Sequence, residues 1–125
     1  GKEVAVTTQP QLPFWEAPEN KQPFFMQVVG PLKQENWKKL KTISYAWHES
    51  QPESIEAHSN YALALLKLGE TTKSEEEFKK VAKKNPNFVQ SFLYLYEIAK
   101  LRENKQDIAK YKSIVFSLDE TIVIE

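Results

Sequence analysis

The sequence of 125 residues is long enough for a single domain with a hydrophobic core, and its 41% hydrophobic and 27% charged residues are ordinary for a globular protein. Its 17 basic residues balance 17 acidic ones, so no overall charge attracts nucleic acid or an anionic membrane surface. The absence of cysteine excludes disulfides, thiolate zinc sites and cysteine nucleophiles. No apolar run reaches the roughly 20 residues that a membrane-spanning helix needs, so neither nucleic-acid binding nor direct membrane insertion is expected.

Residues 1–23 predict an extended, irregular arm. Four of the seven prolines fall in this stretch, and proline both fixes the backbone and removes a hydrogen-bond donor. Phe14 and Trp15 stand side by side here, although a freely solvated linker seldom carries two large aromatic residues together. We expect this pair to dock on the helical body, where burial would contribute roughly 2–3 kcal/mol per ring; the alternative is that it contacts a partner.

The segment after the arm predicts a short element and then a clear helix. The apolar run of residues 24–29 stops at Gly30-Pro31, which favours a short helix or a buried extended segment that ends there. From residue 32 to about residue 49, apolar residues recur at intervals of three and four, which predicts an amphipathic helix. This helix is expected to end before the proline at position 52.

Two prolines frame the centre of the chain. Pro52 and Pro86 stand about 34 residues apart, an interval in the range of periods that mark repeated structural units. Helical segments are predicted between them at residues 53–68 and 73–84. Gly69 lies between the two segments, where a glycine can adopt the left-handed conformation that ends a helix. The charged run in the second segment has glutamates four residues ahead of lysines, which predicts a solvated helix face rather than a binding site.

The side-chain pattern repeats with the same period. Four positions on the first helix of the central pair are matched one period later: His58, Tyr61, Ala62 and Leu65 correspond to Phe92, Leu95, Tyr96 and Ala99. The second helix of the central pair carries Ser74, Phe78, Val81 and Ala82, followed by Pro86. The last helix carries Ile108, Tyr111, Val115 and Leu118 along one side. These residues at this spacing resemble the tetratricopeptide repeat, a two-helix unit with a length of about 34 residues.

The resemblance implies an all-α fold in which antiparallel helix hairpins stack into a right-handed α-solenoid. We expect roughly five main helices, in a domain of residues 24–120 that divides into a degenerate unit and two complete units, at residues 24–52, 53–86 and 87–119. The second turn lacks glycine, and Asn104 is expected either to take the left-handed conformation or to cap the next helix. The tail, residues 121–125, has strand-like character, and its pairing partner is left open.

In tetratricopeptide proteins the first helices of successive units line a concave groove that holds an extended peptide or a partner helix. Carried over to this sequence, the groove positions are Glu56, Ser59, Asn60, Leu63, Lys67, Asn87, Phe88, Gln90, Leu93, Tyr94 and Glu97. Their mixture of hydrogen-bonding groups and apolar area suits recognition of a peptide backbone together with one or two apolar side chains. The resemblance therefore implies a non-catalytic module that binds a protein or peptide partner, as an accessory part of a larger assembly. The alternative is a structural or self-associating module whose groove is closed by its own arm or tail.

Catalytic and cofactor sites are not predicted. His48 and His58 are ten residues apart and lack the i, i+4 spacing of a helical metal pair, so both are expected to be packed neutral imidazoles. Three scattered glycines build no phosphate-binding loop, and no serine lies in a nucleophile elbow. We therefore expect no enzyme activity, no cofactor and no metal site.

The start of the chain carries an expectation about location. The first residue is Gly1 rather than methionine, which favours a trimmed or processed chain. A proline-rich arm ahead of a helical domain would suit a tether to a membrane anchor in a bacterial envelope, so a periplasmic or membrane-tethered location is one expectation. A cytoplasmic location is the alternative.

Overall fold

The computed structural model describes residues 23–123, apart from the side chains of Pro23 and Phe25, and this part of the chain forms six α-helices. They are α1 (Pro23–Gln34), α2 (Trp37–Ser50), α3 (Ile55–Lys67), α4 (Thr71–Lys84), α5 (Val89–Leu101) and α6 (Lys105–Leu118). The described stretch holds no β-strand beyond a single bridge residue, Val123. The predicted all-α fold is thus confirmed, with one helix more than expected. The predicted arm up to residue 22, with Phe14 and Trp15, and the last two tail residues lie outside the described residues.

Helix boundaries recur at the same interval that separates Pro52 from Pro86. The helices α3 and α5 begin at Ile55 and Val89, and each has 13 residues. The helices α2, α4 and α6 have 14 residues each and begin at Trp37, Thr71 and Lys105. Along residues 23–123 the six helices therefore follow one another as α1–α2, α3–α4 and α5–α6, with lengths of 12 to 14 residues. None of these six helices is both long and apolar enough to cross a membrane.

The turn inside each helix pair repeats as well. One residue in each turn has a positive φ, 56° at Glu35, 87° at Gly69 and 54° at Glu103, which is the left-handed region. In the central turn the amide of the next residue, Glu70, donates to the carbonyl of Leu65 at 2.9 Å, and the same bond closes the other two turns. This Schellman arrangement satisfies carbonyl groups that the helix end leaves open. We call these three residues the turn hinges.

The structure of the third turn shows which of the two expected roles Asn104 takes. Its side chain accepts a hydrogen bond from the amide of Asp107 at 3.1 Å, so Asn104 caps α6. The left-handed conformation belongs instead to Glu103, one residue earlier. The expectation of a left-handed Asn104 is therefore wrong, and the capping expectation is confirmed.

Substitutions at two of the turn hinges are expected to move stability in opposite directions. Gly69→Ala should lower the free energy of unfolding by about 1 kcal/mol, because a Cβ strains the left-handed backbone even though no atom lies within 4 Å of it. Glu103→Gly should raise that free energy by about 0.5–1 kcal/mol, because glycine relieves the same strain. Urea denaturation followed by circular dichroism measures both changes. Gly69→Asn is the matched control, since asparagine tolerates this conformation. Equal costs for the two Gly69 variants would contradict a left-handed backbone conformation at this position.

The first helix does not end where the sequence indicated. Gly30-Pro31 was expected to stop it, but α1 continues through both residues to Gln34. A proline inside a helix removes one backbone hydrogen bond, and its ring crowds the carbonyl four residues earlier, here that of Gln27, at a cost of about 3 kcal/mol. The continued turn places Leu32, which is 7% exposed, four residues after the fully buried Val28, so that both add to the core. Burial of this second apolar residue offsets the lost hydrogen bond, and the positive φ of Glu35 ends the helix instead.

Residues 23–77 form one compact unit, in which α1 packs on α2 and α2 packs on α3. Leu40 and Trp47 of α2 are at most 1% exposed, and the Trp47 ring stacks near Phe24 of α1 with centroids 6.3 Å apart. The start of α4 is attached to α3 by Ser74, whose buried hydroxyl donates to the carbonyl of Ala62 at 2.8 Å. Small side chains at Ala62 and Ser74 permit this close approach of the two helices.

Residues 78–123 form a second compact unit, in which α5 packs on α6. Phe78 is fully buried and stacks on Tyr94 with ring centroids 5.0 Å apart. Tyr111 and Val115 of α6 are also buried, at 4% and 0% exposure. Their spacing of four residues puts them on one face of α6, which is the face that the sequence pattern indicated.

The repeated positions have similar burial in the two copies. All six residues at three of the matched positions are buried, namely Tyr61, Ala62, Leu65, Leu95, Tyr96 and Ala99. The fourth position differs, because His58 is 3% exposed whereas Phe92 is half-buried. The repeating pattern of side chains therefore corresponds to a repeated core, with the histidine as its most unusual member.

Candidate functional site

The predicted groove residues on α3 are divided between core and surface. Ser59, Asn60 and Leu63 are at most 2% exposed, Glu56 is half-buried and Lys67 is exposed. The Asn60 amide nitrogen donates to the carbonyl of Glu56 at 2.9 Å. The Ser59 hydroxyl and the Asn60 amide oxygen have no hydrogen-bond partner among the described residues. Only Glu56 and Lys67 of this set thus present surface to another molecule.

The predicted groove residues from 87 to 97 follow the same division. Leu93 and Tyr94 are at most 4% exposed, and Asn87 is exposed. Phe88, Gln90 and Glu97 are half-buried. Burial raises the pKa of the Tyr94 hydroxyl far above its ordinary value, and the negative charge of Glu97 adds to this, so Tyr94 stays neutral. Leu93 and Tyr94 therefore belong to the core of residues 78–123.

An open pocket of about 790 Å³ lies on the surface of residues 23–77. Its lining combines two tyrosines and three lysines with smaller groups, namely Lys38, Lys41, Thr42, Tyr45, Tyr61, Leu68, Glu70 and Lys73. Tyr45 is 47% exposed, and its ring packs against that of Tyr61, with centroids 5.2 Å apart and an interplanar angle of 54°. We call this surface the tyrosine–lysine pocket. It offers an apolar floor beside positive charges, a combination that no sequence motif indicated.

The tyrosine–lysine pocket has an excess of positive charge. Lys41 Nζ lies 2.7 Å from Glu70 Oε2, and this hydrogen bond raises the pKa of Lys41. The two charges of that pair offset each other, while Lys38 and Lys73 remain exposed. Burial, followed by the negative charge of Glu77, raises the pKa of Tyr61, so its hydroxyl stays protonated and able to donate. The pocket is therefore suited to an anionic ligand that also has apolar area.

A second group of polar side chains is buried within residues 23–77. It comprises His48 of α2, His58 of α3 and Glu77 of α4, whose candidate ligand atoms all lie within 4.8 Å of one another. His58 Nε2 and Glu77 Oε1 share a hydrogen bond of 2.6 Å, and the two imidazole rings stack with centroids 4.0 Å apart. His58 and Glu77 are 3% and 7% exposed, and His48 is half-buried. We call this group the histidine–glutamate cluster.

The spacing of the histidines in the sequence did not indicate this cluster. Both were expected to be packed imidazoles, and the structure brings their rings together across two helices with a carboxylate from a third. One signal was present in the sequence. Glu77 lies three residues after Ser74 and four before Val81, both of which are buried, so helical periodicity places this acid on the inner face of α4. An acidic residue at a core position calls for a partner, and His58 is that partner.

Comparisons with protein-family models, with curated proteins and with solved structures found no match to this chain.

Proposed function

We propose that the chain is a non-catalytic, tetratricopeptide-like module that holds a partner protein. The observation that carries the proposal is the recurrence of helix starts and turn hinges at one constant interval, as from Ile55 to Val89 and from Gly69 to Glu103. This interval equals the length of the tetratricopeptide unit, and repeat proteins of helix pairs typically act by presenting an extended surface to a peptide or a helix. In this proposal the three pairs stack as a short right-handed solenoid.

The tyrosine–lysine pocket is the proposed contact surface, and its occupant is an acidic peptide segment of the partner. The excess charge of Lys38 and Lys73 complements carboxylates, and the rings of Tyr45 and Tyr61 offer area for an apolar side chain beside them. The buried members of the predicted groove support the fold rather than the contact.

One set of observations favours the structural alternative. Five of the eleven predicted groove residues are at most 4% exposed, namely Ser59, Asn60, Leu63, Leu93 and Tyr94. A module whose first-helix faces are already covered would serve as a spacer or as a self-associating piece. If the chain binds a partner as proposed, the tyrosine–lysine pocket should select a ligand. In the structural alternative it should select none.

A selection from a random peptide library displayed on phage tests the proposal. We expect the immobilised protein to enrich peptides that combine aspartate or glutamate with an aromatic or aliphatic residue. A synthetic copy of an enriched peptide should bind more weakly as salt rises, because screening reduces the attraction between exposed charges. The double variant Lys38→Glu/Lys73→Glu should lower the affinity by roughly tenfold or more, which is about 1.4 kcal/mol.

The matched control carries the same charge change elsewhere. Lys83→Glu/Lys105→Glu alters two exposed lysines outside the pocket, and it should keep the affinity of the original protein. Circular dichroism melting verifies that both double variants fold. Enrichment of no peptide class, or equal losses in the two double variants, would favour the structural alternative.

A further inference from the structure

The histidine–glutamate cluster has the composition of a metal site. We propose that His48, His58 and Glu77 bind a divalent transition-metal ion of the Zn²⁺ class. Two imidazole nitrogens and one carboxylate oxygen are ligands that Zn²⁺ favours, and three protein ligands leave one coordination position for water. Mg²⁺ and Ca²⁺ prefer sets made of oxygen ligands, so the two imidazoles select against them.

The spacing of the ligand atoms is close to what one ion requires. Donors bound to a tetrahedral Zn²⁺ at about 2.0–2.1 Å lie roughly 3.4 Å from one another. The candidate atoms of the cluster all lie within 4.8 Å, and the closest pair, His58 Nε2 and Glu77 Oε1, is at 2.6 Å. Binding therefore requires the closest pair to separate by less than about 1 Å and the others to approach by at most about 1.5 Å, which small side-chain rotations provide.

The stacked rings identify which side chain moves. Two imidazoles at an interplanar angle of 23° direct their lone pairs side by side, so one ring must turn before both reach the same ion. His58 is held in place by burial and by its hydrogen bond to Glu77. His48 is half-buried, and its ring lies between His58 and Tyr61, with centroids 4.0 and 6.4 Å away, so it is the less enclosed of the two imidazoles and the one that we expect to turn.

The charge balance of the cluster suits a cation. A carboxylate as buried as Glu77 requires a positive partner or hydrogen-bond donors, and in the absence of metal it shares a hydrogen bond with His58 Nε2. A metal ion would supply that positive charge, and any proton on the coordinating imidazole nitrogen would leave to bulk water. One imidazole is enough to pair with one carboxylate. The second imidazole, that of His48, stacks on His58 and supplies the third potential ligand.

The test is a titration of ZnCl₂ into the full chain, produced without a histidine tag and first treated with a chelator. Isothermal titration calorimetry should show one bound Zn²⁺ per chain, and the melting temperature should rise, because a ligand that binds only the folded state stabilises it. Co²⁺ in place of Zn²⁺ should give the visible absorption of a tetrahedral site. MgCl₂ should show no binding by calorimetry and should not raise the melting temperature.

Two nearly isosteric variants localise the binding. His48→Gln and Glu77→Gln should each weaken Zn²⁺ binding by roughly tenfold or more, since each removes one ligand and keeps the volume of the side chain. His48→Gln changes a half-buried residue, so this variant keeps the test valid if a change at the buried Glu77 prevents folding. Glu76→Gln, on an exposed neighbour in α4, is the matched control and should bind Zn²⁺ as the original protein does.

Either of two results would overturn the proposal. Absence of Zn²⁺ binding up to about 1 mM would mean that the cluster is a hydrogen-bonded core element only. Equal affinity in His48→Gln, Glu77→Gln and Glu76→Gln would place the ion elsewhere on the chain. The lysine variants of the tyrosine–lysine pocket should keep Zn²⁺ binding, which separates this proposal from the proposed peptide contact.

Discussion

Trp47→Ala is expected to lower the free energy of unfolding by about 3–5 kcal/mol, the usual cost of emptying a buried aromatic site. The Trp47 side chain is 1% exposed, and its indole nitrogen donates to the side-chain oxygen of Gln51 at 2.9 Å. Its ring also stacks near Phe24, so the substitution removes contacts with α1 as well as a hydrogen bond. Urea denaturation followed by far-ultraviolet circular dichroism measures the loss.

Trp37→Ala provides the matched control on the same helix. Trp37 is half-buried, and the ammonium group of Lys67 lies 5.7 Å from its ring centroid. Losing this partly exposed contact should cost about 1 kcal/mol. The difference between the two tryptophan variants isolates the effect of burial. Equal costs would contradict the placement of Trp47 in the core of residues 23–77.

Phe78→Ala is expected to destabilise the protein by a similar amount, about 3–5 kcal/mol. Phe78 is fully buried, and its ring lies nearly parallel to that of Tyr94, at an interplanar angle of 16°. Alanine would leave a cavity against Tyr94 and would remove the ring contact. Phe78→Leu keeps most of the buried volume and should cost much less. Thermal and urea denaturation of both variants measure the effect.

Phe116→Ala is the control for this second core. Phe116 lies on α6 in the same compact unit as Phe78, but its side chain is 58% exposed. Removing it should change the free energy of unfolding by no more than about 0.5 kcal/mol. A large loss at Phe116, or a small one at Phe78, would mean that the core of residues 78–123 is assembled from a different face of these helices.

Helix ends could be predicted wherever a local signal marks them. Pro52 and Pro86 follow helices because a proline cannot continue them, and Gly69 ends α3 because glycine adopts positive φ without strain. The same reasoning placed an end at Gly30-Pro31, where α1 continues. There the proline costs a hydrogen bond and a ring–carbonyl clash, and burial of Val28 and Leu32 on one face of the continued helix offsets that cost.

The candidate sites were less accessible to prediction than the helices. The groove positions came from a family resemblance, which assigns a residue its position in a repeat but does not determine its exposure. Leu63 and Leu93, for example, lie in the core. The tyrosine–lysine pocket draws on residues from position 38 to position 73. No spacing rule connects side chains on different helices, because their separation depends on how the helices cross.

The sequence by itself determined that the described residues, 23–123, fold as α-helices and that the helix starts return at a constant interval. Periodicity, prolines and the glycine act within a turn or two of where they stand, so their effects can be predicted without knowing the rest of the fold. Only the tertiary structure decided that Glu35 and Glu103 take the left-handed conformation, since closure of each helix pair offsets a strain that these residues would otherwise avoid. It also decided that His48, His58 and Glu77 meet, because three helices must each have the right rotation and crossing before their side chains converge on one point.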